Sequence, residues 1–352
     1  MLNFVTEKKS LWDRLKETSK PIVLYGMGDG AQKIIDKMNE LGVPLADIFA
    51  SDEFVRGHSF NGIRVKRYSE IEALYDDFFI LIGFAVDYDS MLNRLFELDS
   101  QRETAAPDVP LFGEGVFDLD FVEKNKDKIE RVYSLLADEW SKKVYANIIN
   151  YKISGKISYL KEISTDRVAD LKDIFEFSDN EDYLDLGAYD GDTIKEFSAL
   201  TDGRFRSITA LEPDEKNFRK LSLAAQEDER IRCVQNAVWS ESTVLRFNNR
   251  AGRNSALRDD GRIEVEAVSI DSLSPDGFSF IKMDVEGAEA QALLGAKRTI
   301  AQRKPKLFIS AYHRNEDIFE LPLLLLSLRD DYRLFFRKHP YVPAWEINIL
   351  AK

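Results

Sequence analysis

Three acids fall within six positions in Asp284-Val285-Glu286-Gly287-Ala288-Glu289, directly after the apolar run FSFIKM. Carboxylates crowded at a strand end are costly unless they hold cations or take protons. Asp284 and Glu286 are therefore candidate proton acceptors. Together with Glu289 they are also candidate oxygen ligands for Mg²⁺, which would lower the pKa of a bound hydroxyl. Glu289 equally suits the first turn of a helix, where an acid meets the positive end of the dipole. His313, in ISAYHRNED after another apolar run, is the rival base. A neutral imidazole takes protons near pH 7, although a purely structural histidine would read the same way. The other two histidines, His58 and His339, lie elsewhere.

A second group of residues suggests what is delivered to such a base. YLDLGAYDGDT places Asp185, Gly187 and Gly191 in a D-x-G-x-x-x-G pattern after a strand, with Asp190 inside the loop. A glycine there lets backbone approach a ligand closely. The aspartates argue against a phosphate guest. S-adenosylmethionine has no phosphate, and its ammonium and sulfonium are attracted by acids. The next apolar run ends at Glu212, where an acid can accept both ribose hydroxyls. The run after that ends at Asn236 and Ala237, placed to meet an adenine edge; a turn asparagine is the plainer reading.

Alternating apolar runs and helical patterns must position these groups. From Asp182 the order is strand–helix–strand–helix–strand, then two extended segments (TVLRFN, IEVEAVSID), then two more strand–helix pairs, then YRLFFRKH and WEINILAK. The last two lie too close together for a crossover helix, so they pair antiparallel. This is an α/β chain whose C-terminal part is a parallel sheet closed by an antiparallel hairpin, the class I methyltransferase layout. The loop AGRNSALRDDG supplies Arg253, Asn254 and Ser255 as possible substrate contacts, and His339 and Trp345 flank the last hairpin.

An earlier unit repeats the theme. PIVLYGMGDGAQKIIDKMNELG reads as strand, glycine turn and helix, with Ile34, Ile35, Met38 and Leu41 on one face. Gly26, Gly28 and Ala31 fit a dinucleotide fingerprint, with Gly30 between them, and Asp52 lies where a ribose-binding acid would sit. Asp29 inside the turn would repel a pyrophosphate, so the loop either binds a nucleotide or sugar nucleotide or is a bare turn. The expected division is a Rossmann-like unit over 1–110, a helical connector over 111–170 and a methyltransferase unit over 171–352. In the connector, Val132, Leu135, Leu136, Trp140, Val144 and Ile148 form an apolar stripe, for packing between units or for dimerisation.

DLGAYDGDT, ALEPDEKNF, NAVWS, IDSL and IKMDVEGAEAQALLGA, in this order, resemble the FkbM family of S-adenosylmethionine-dependent methyltransferases over roughly 180–352. LLADEWSKKVYANIINYKISG resembles the connector of its two-domain members. The resemblance implies O-methylation of a sugar or polyketide-type hydroxyl. It implies that Asp185, Gly187 and Glu212 hold the cofactor and that Asp284 and Glu286 lie at the methyl-transfer site. The family's first motif more often reads DVGANxG; here Tyr189 and Asp190 replace its asparagine segment.

Bulk properties limit the alternatives. A net charge of −13 argues against a nucleic-acid partner. The single cysteine, Cys233, excludes an internal disulfide. The N-terminus lacks an apolar signal core, and no apolar run reaches the roughly 18 residues of a membrane span. The expectation is a cytoplasmic enzyme acting on a small-molecule or glycan acceptor, its number of copies open. Two other readings compete. One is a sugar-nucleotide-binding scaffold without catalysis. The other is a nicotinamide-dependent sugar oxidoreductase using the GMGDG loop, weakened by the lack of a Tyr-x-x-x-Lys pair within 1–110.

Overall fold

The computed structural model describes residues 2–113, 115–248, 256–257 and 263–352. Arg253, Asn254 and Ser255 lie outside the described residues. The first six strands are β1 (Ile22–Tyr25), β2 (Asp47–Ala50), β3 (Ser59–Phe60), β4 (Ile63–Arg67), β5 (Phe79–Ile82) and β6 (Thr104–Ala105). They form one sheet in the order β3-β4-β2-β1-β5-β6, parallel except for the short β3–β4 pair. β1 and β5 are apolar runs buried along their length, as strands covered on both faces must be. β4 escapes a pattern reading because IRVKR buries only Val65.

The C-terminal sheet contains β7 (Asp182–Leu186), β8 (Ser207–Leu211), β9 (Ile231–Val234), β14 (Phe280–Met283), β15 (Lys306–Ser310), β16 (Leu334–Lys338) and β17 (Ile347–Ala351). Its order is β16-β17-β15-β14-β7-β8-β9. β17 runs antiparallel between β15 and β16, and the others pair in parallel. The expected parallel sheet with an antiparallel terminal hairpin is present. The strand order reverses at β7, so the ligand crevice of such a sheet opens beyond the carboxyl ends of β7, β8 and β14.

Two expected elements divide. IRCVQNAVW does not form one strand: β9 ends at Val234, and β10 (Ala237–Val238) joins a second, four-stranded sheet with β11 (Thr243–Asn248), β12 (Ala256–Leu257) and β13 (Ile263–Val268). The helix expected over AEAQALLGAKRTIAQRK is two helices, Glu289–Leu294 and Lys297–Arg303. The break falls at Gly295, where a Cβ would sit 2.2 Å from the carbonyl oxygen of Trp239. Only a glycine admits that neighbouring backbone.

The connector's apolar stripe is buried at Val132, Leu136, Val144 and Ile148 and half-buried at Leu135 and Trp140. The helix Glu139–Ser154 carries more than a stripe: every residue from Ile148 to Ser154 is buried. It is a core helix rather than a surface one, and it adjoins β16. One continuous apolar cluster runs from Val23 and Ile80 through Val144 and Ile148 to Leu184, Ile281 and Ile309. Burial of that size holds the two sheets together through the connector. Where the helix meets this core, the buried Lys152 places its Nζ 2.6 Å from the half-buried Asp108.

Candidate active site

β7 ends in the glycine loop, and the loop's shape depends on a charge beneath it. Gly187 has φ +76, and a Cβ there would lie 1.9 Å from the carbonyl oxygen of Asp284. The glycine is required by the approach of the β14 backbone. Asp185 was expected to face the cofactor, but it is fully buried. Its carboxylate lies 3.4 Å from Lys282 Nζ and accepts a hydrogen bond from the Thr193 hydroxyl. Lys282 also donates to the Gly187 carbonyl at 2.9 Å. Burial favours a neutral Lys282, but Asp185 and Asp284 outweigh it, so the pKa is raised and the ammonium stays charged. Asp185 therefore acts on the loop through Lys282 and the first turn of the helix Asp192–Leu200. Asp190 is half-buried and Gly191 caps that helix.

At the end of β8, Glu212 accepts backbone N–H groups from Tyr189 at 3.0 Å and Asp214 at 2.9 Å, one on each oxygen. Burial raises its pKa to about 7 against those two bonds. Asn236 stands where the chain leaves the main sheet for the small one, and its side-chain amide reaches Glu266 at 3.5 Å. Ala237 is buried as the first residue of β10.

Beyond β14 the structure gathers the acids with His313. Nδ1 of His313 lies 2.9 Å from Glu289 Oε1, both residues 1% exposed, although the contact is not aligned as a good hydrogen bond. Nε2 lies 3.5 Å from Asp284 Oδ1 and 3.6 Å from Glu286 Oε2. The Tyr312 hydroxyl donates to Asp284 at 3.2 Å and 3.4 Å. Burial alone would strip the His313 proton, but Glu289, then Asp284 and Glu286, hold it on and lift the pKa to about 10. The neutral imidazole expected near pH 7 is therefore not what this arrangement of protein groups holds. His313 counters the burial of Glu289, whose pKa is lowered. Three non-glycine residues on this edge adopt left-handed backbone: Tyr189 (φ 49), Glu286 (φ 53) and Glu346 (φ 58). Such strain concentrates at functional sites.

The first sheet brings Gly26, Gly28 and Asp52 to one edge, but not as an open cradle. The Phe84 ring packs on Gly26, where a Cβ would lie 2.5 Å from it. Asp29 and Gly30 begin the helix Asp29–Glu40, and Asp52 lies on a short 3₁₀ turn, 75% exposed and 4.0 Å from Arg67. That edge meets the C-terminal one: Val86, after β5, exchanges two backbone hydrogen bonds with Val342 in the β16–β17 loop. The connecting segment crosses over the acids, with Phe112 donating its N–H to the His313 carbonyl at 3.1 Å. His339 is buried 3.3 Å from Asp170 of the helix Arg167–Ile174 and so packs the hairpin against that helix, while Trp345 lies against Tyr341 within the hairpin loop.

Sequence reasoning missed Lys282, Tyr312 and Phe112. Only Lys282 leaves a signal, as a lone cation inside a four-residue buried strand.

Among the described residues, no helix is long and apolar enough to cross a membrane. Residues 185–342 match the family model described as the methyltransferase FkbM domain. The structure is similar to that of methyltransferase FkbM from Methylobacillus flagellatus KT, with a TM-score of 0.78 and 21% identity, covering 99% of this chain and 95% of that one. That likeness concerns the fold, and it extends over both sheets. Partial likenesses include an rRNA methylase from Streptococcus thermophilus, with a TM-score of 0.35, 11% identity and 53% of this chain against 92% of that one. No curated protein matches the sequence. The D-x-G-x-x-x-G loop, the β8 acid and the β14 acids thus stand on one edge of a seven-stranded sheet, within the stretch that matches the methyltransferase FkbM domain.

Proposed function

We propose that the protein is an S-adenosylmethionine-dependent O-methyltransferase acting on a hydroxyl of a sugar, glycan or related small molecule. The observation that carries this is the adjacency, on one sheet edge, of the glycine loop with Glu212 and the group Asp284, Glu286, His313. Each Glu212 oxygen accepts one backbone N–H and keeps a further lone pair for a ribose hydroxyl. Bound there, S-adenosylmethionine would supply an activated methyl group whose C–S bonding pair would leave with sulfur, and Asp284 or Glu286 would take the proton of the acceptor hydroxyl as its oxygen gains the methyl. The half-exposed Glu286 and the tyrosine-held Asp284 are the groups an acceptor can reach. The segment over His313 and the Val86–Val342 contact put the N-terminal unit beside that opening, as a wall for a bulky acceptor.

The test has two readings: S-adenosylmethionine binding by calorimetry, and transfer of labelled methyl to free sugars, nucleotide sugars and oligosaccharides. Saturable binding with transfer to any of these is expected. Absence of binding by well-folded protein would sink the assignment, and transfer only to a non-hydroxyl acceptor would sink the O-methylation.

Glu212 makes the binding step pH-dependent. Ribose hydroxyls donate to the ionised carboxylate, so affinity should be full above pH 7. It should fall by about tenfold per pH unit below that, because binding must expel a proton. Glu212→Gln should weaken binding and flatten the profile. The fold responds with the opposite sign. Burial favours the neutral acid, so this group's stabilisation is complete below its ordinary value of 4.5 and is lost as pH rises through about 7. A flat affinity profile in the native protein from pH 5.5 to 8.5, a window of about three units around the Glu212 pKa, would remove Glu212 from ribose recognition.

A further inference from the structure

The orientation of His313 is set from behind. Its Nδ1 faces Glu289 Oε1 at 2.9 Å, and that same oxygen accepts the Val285 N–H at 2.9 Å, so the carboxylate is itself anchored. Nε2 consequently points the other way, toward Asp284 Oδ1 at 3.5 Å and Glu286 Oε2 at 3.6 Å. These separations are too long for good hydrogen bonds. They suit atoms that share an ion: ligands about 2.0–2.2 Å from a metal lie roughly 3–3.5 Å from each other. Asp284, Glu289 and His313 offer donor atoms all within 4.8 Å of one another. The Tyr312 hydroxyl steadies Asp284 from outside. A 1% exposed imidazole with one nitrogen backed by a carboxylate and the other 3.5 Å and 3.6 Å from two more is the arrangement of a metal-ligating histidine with its outer carboxylate.

We propose that this cluster binds one divalent transition-metal ion, with His313 Nε2, Asp284 and Glu286 as ligands and Glu289 holding the imidazole. The expected all-oxygen set of Asp284, Glu286 and Glu289 changes in two ways: Glu289 is turned to Nδ1, and an imidazole enters. That substitution favours Mn²⁺, Fe²⁺ or Zn²⁺ over Mg²⁺. Two carboxylates balance the dication through the oxygens nearest Nε2, their second oxygens remain to take the hydroxyl proton, and three protein ligands leave coordination positions for an acceptor oxygen. The inference rests on this edge being the methyl-transfer site, and the test reads metal binding and cofactor binding separately.

Chelator-treated full-length protein is titrated with Mn²⁺ in a large excess of Mg²⁺, with free Mn²⁺ read by electron paramagnetic resonance. One bound equivalent is expected, displaced by Zn²⁺. His313→Gln, Asp284→Asn and Glu289→Gln should each weaken it by at least about tenfold. Glu286→Gln, at a side chain 46% exposed, should weaken it without disturbing the fold. S-adenosylmethionine binding by the same variants should stay close to native, which also reports that they are folded. Complete loss of Mn²⁺ to Mg²⁺ would leave only exposed carboxylates binding, and the proposal would fall. Native affinity in both His313→Gln and Glu286→Gln would overturn it equally.

Discussion

Gly187→Ala is expected to abolish measurable S-adenosylmethionine binding, with an affinity loss of at least about 100-fold. Two costs combine. A non-glycine residue at φ +76 bears a left-handed penalty of about 1–2 kcal/mol. The added Cβ would also stand 1.9 Å from the Asp284 carbonyl oxygen, so β7 and β14 must separate at their carboxyl ends. Overpacking of that kind costs about 1–3 kcal/mol when side chains give way, and here the neighbour is backbone. The damage falls on the loop and on Asp284 together, so both the cofactor side and the acceptor side of the crevice are displaced. Calorimetry gives the affinity and thermal unfolding gives the fold. Gly203→Ala is the control, because its φ of +70 carries a similar penalty while nothing lies within 4 Å of its Cβ. That variant should lose stability modestly and bind normally. If Gly187→Ala bound like the native protein, the close approach of the two strand ends would have no part in shaping the cofactor loop.

The groups that were legible in the sequence share one property: each follows an apolar run that must stop. Glu212 after SITAL and Asp284 after FSFIKM are first polar residues at the carboxyl ends of buried parallel strands, and topology alone sends those ends to one edge. What was illegible depends on which way a side chain turns. Asp185 occupies the first-motif position, yet it points into the core because Lys282, two strand positions before Asp284, points there too. Register places Lys282 directly opposite Asp185 on the paired strands. A single-strand reading has no access to that pairing. Glu289 is similar: as a first-turn acid it looked like a dipole partner or a metal ligand, and only the position of His313 after β15 shows which atom it meets. The split of IRCVQNAVW was hidden because both halves are apolar enough for strands, and the change of sheet occurs across two polar residues.

Lys282→Met should be the most damaging substitution outside the glycine loop. It preserves the length and apolar stem of a side chain 5% exposed while removing the ammonium. Asp185, with no exposed surface, is then left with the Thr193 hydroxyl as its remaining partner, and the Gly187 carbonyl loses its side-chain donor. Breaking a buried ion pair by removing one member costs about 3–5 kcal/mol, since the other charge stays in a low-dielectric site. That corresponds to a fall of roughly 10 °C in melting temperature. Removing both charges should cost less than removing one. The double variant Asp185→Asn with Lys282→Met is therefore expected to melt above Lys282→Met alone, although an isolated loss at Asp185 is itself destabilising. Recovery of stability in the double variant need not bring back cofactor binding, because the Gly187 carbonyl remains without its donor. Stability restored with affinity still low would separate the two tasks of Lys282: neutralising Asp185 and setting the loop. A double variant no more stable than Lys282→Met would mean that the pair is not coupled as its 3.4 Å separation implies. Stability and affinity returning together would mean that the loop responds to the buried charge alone.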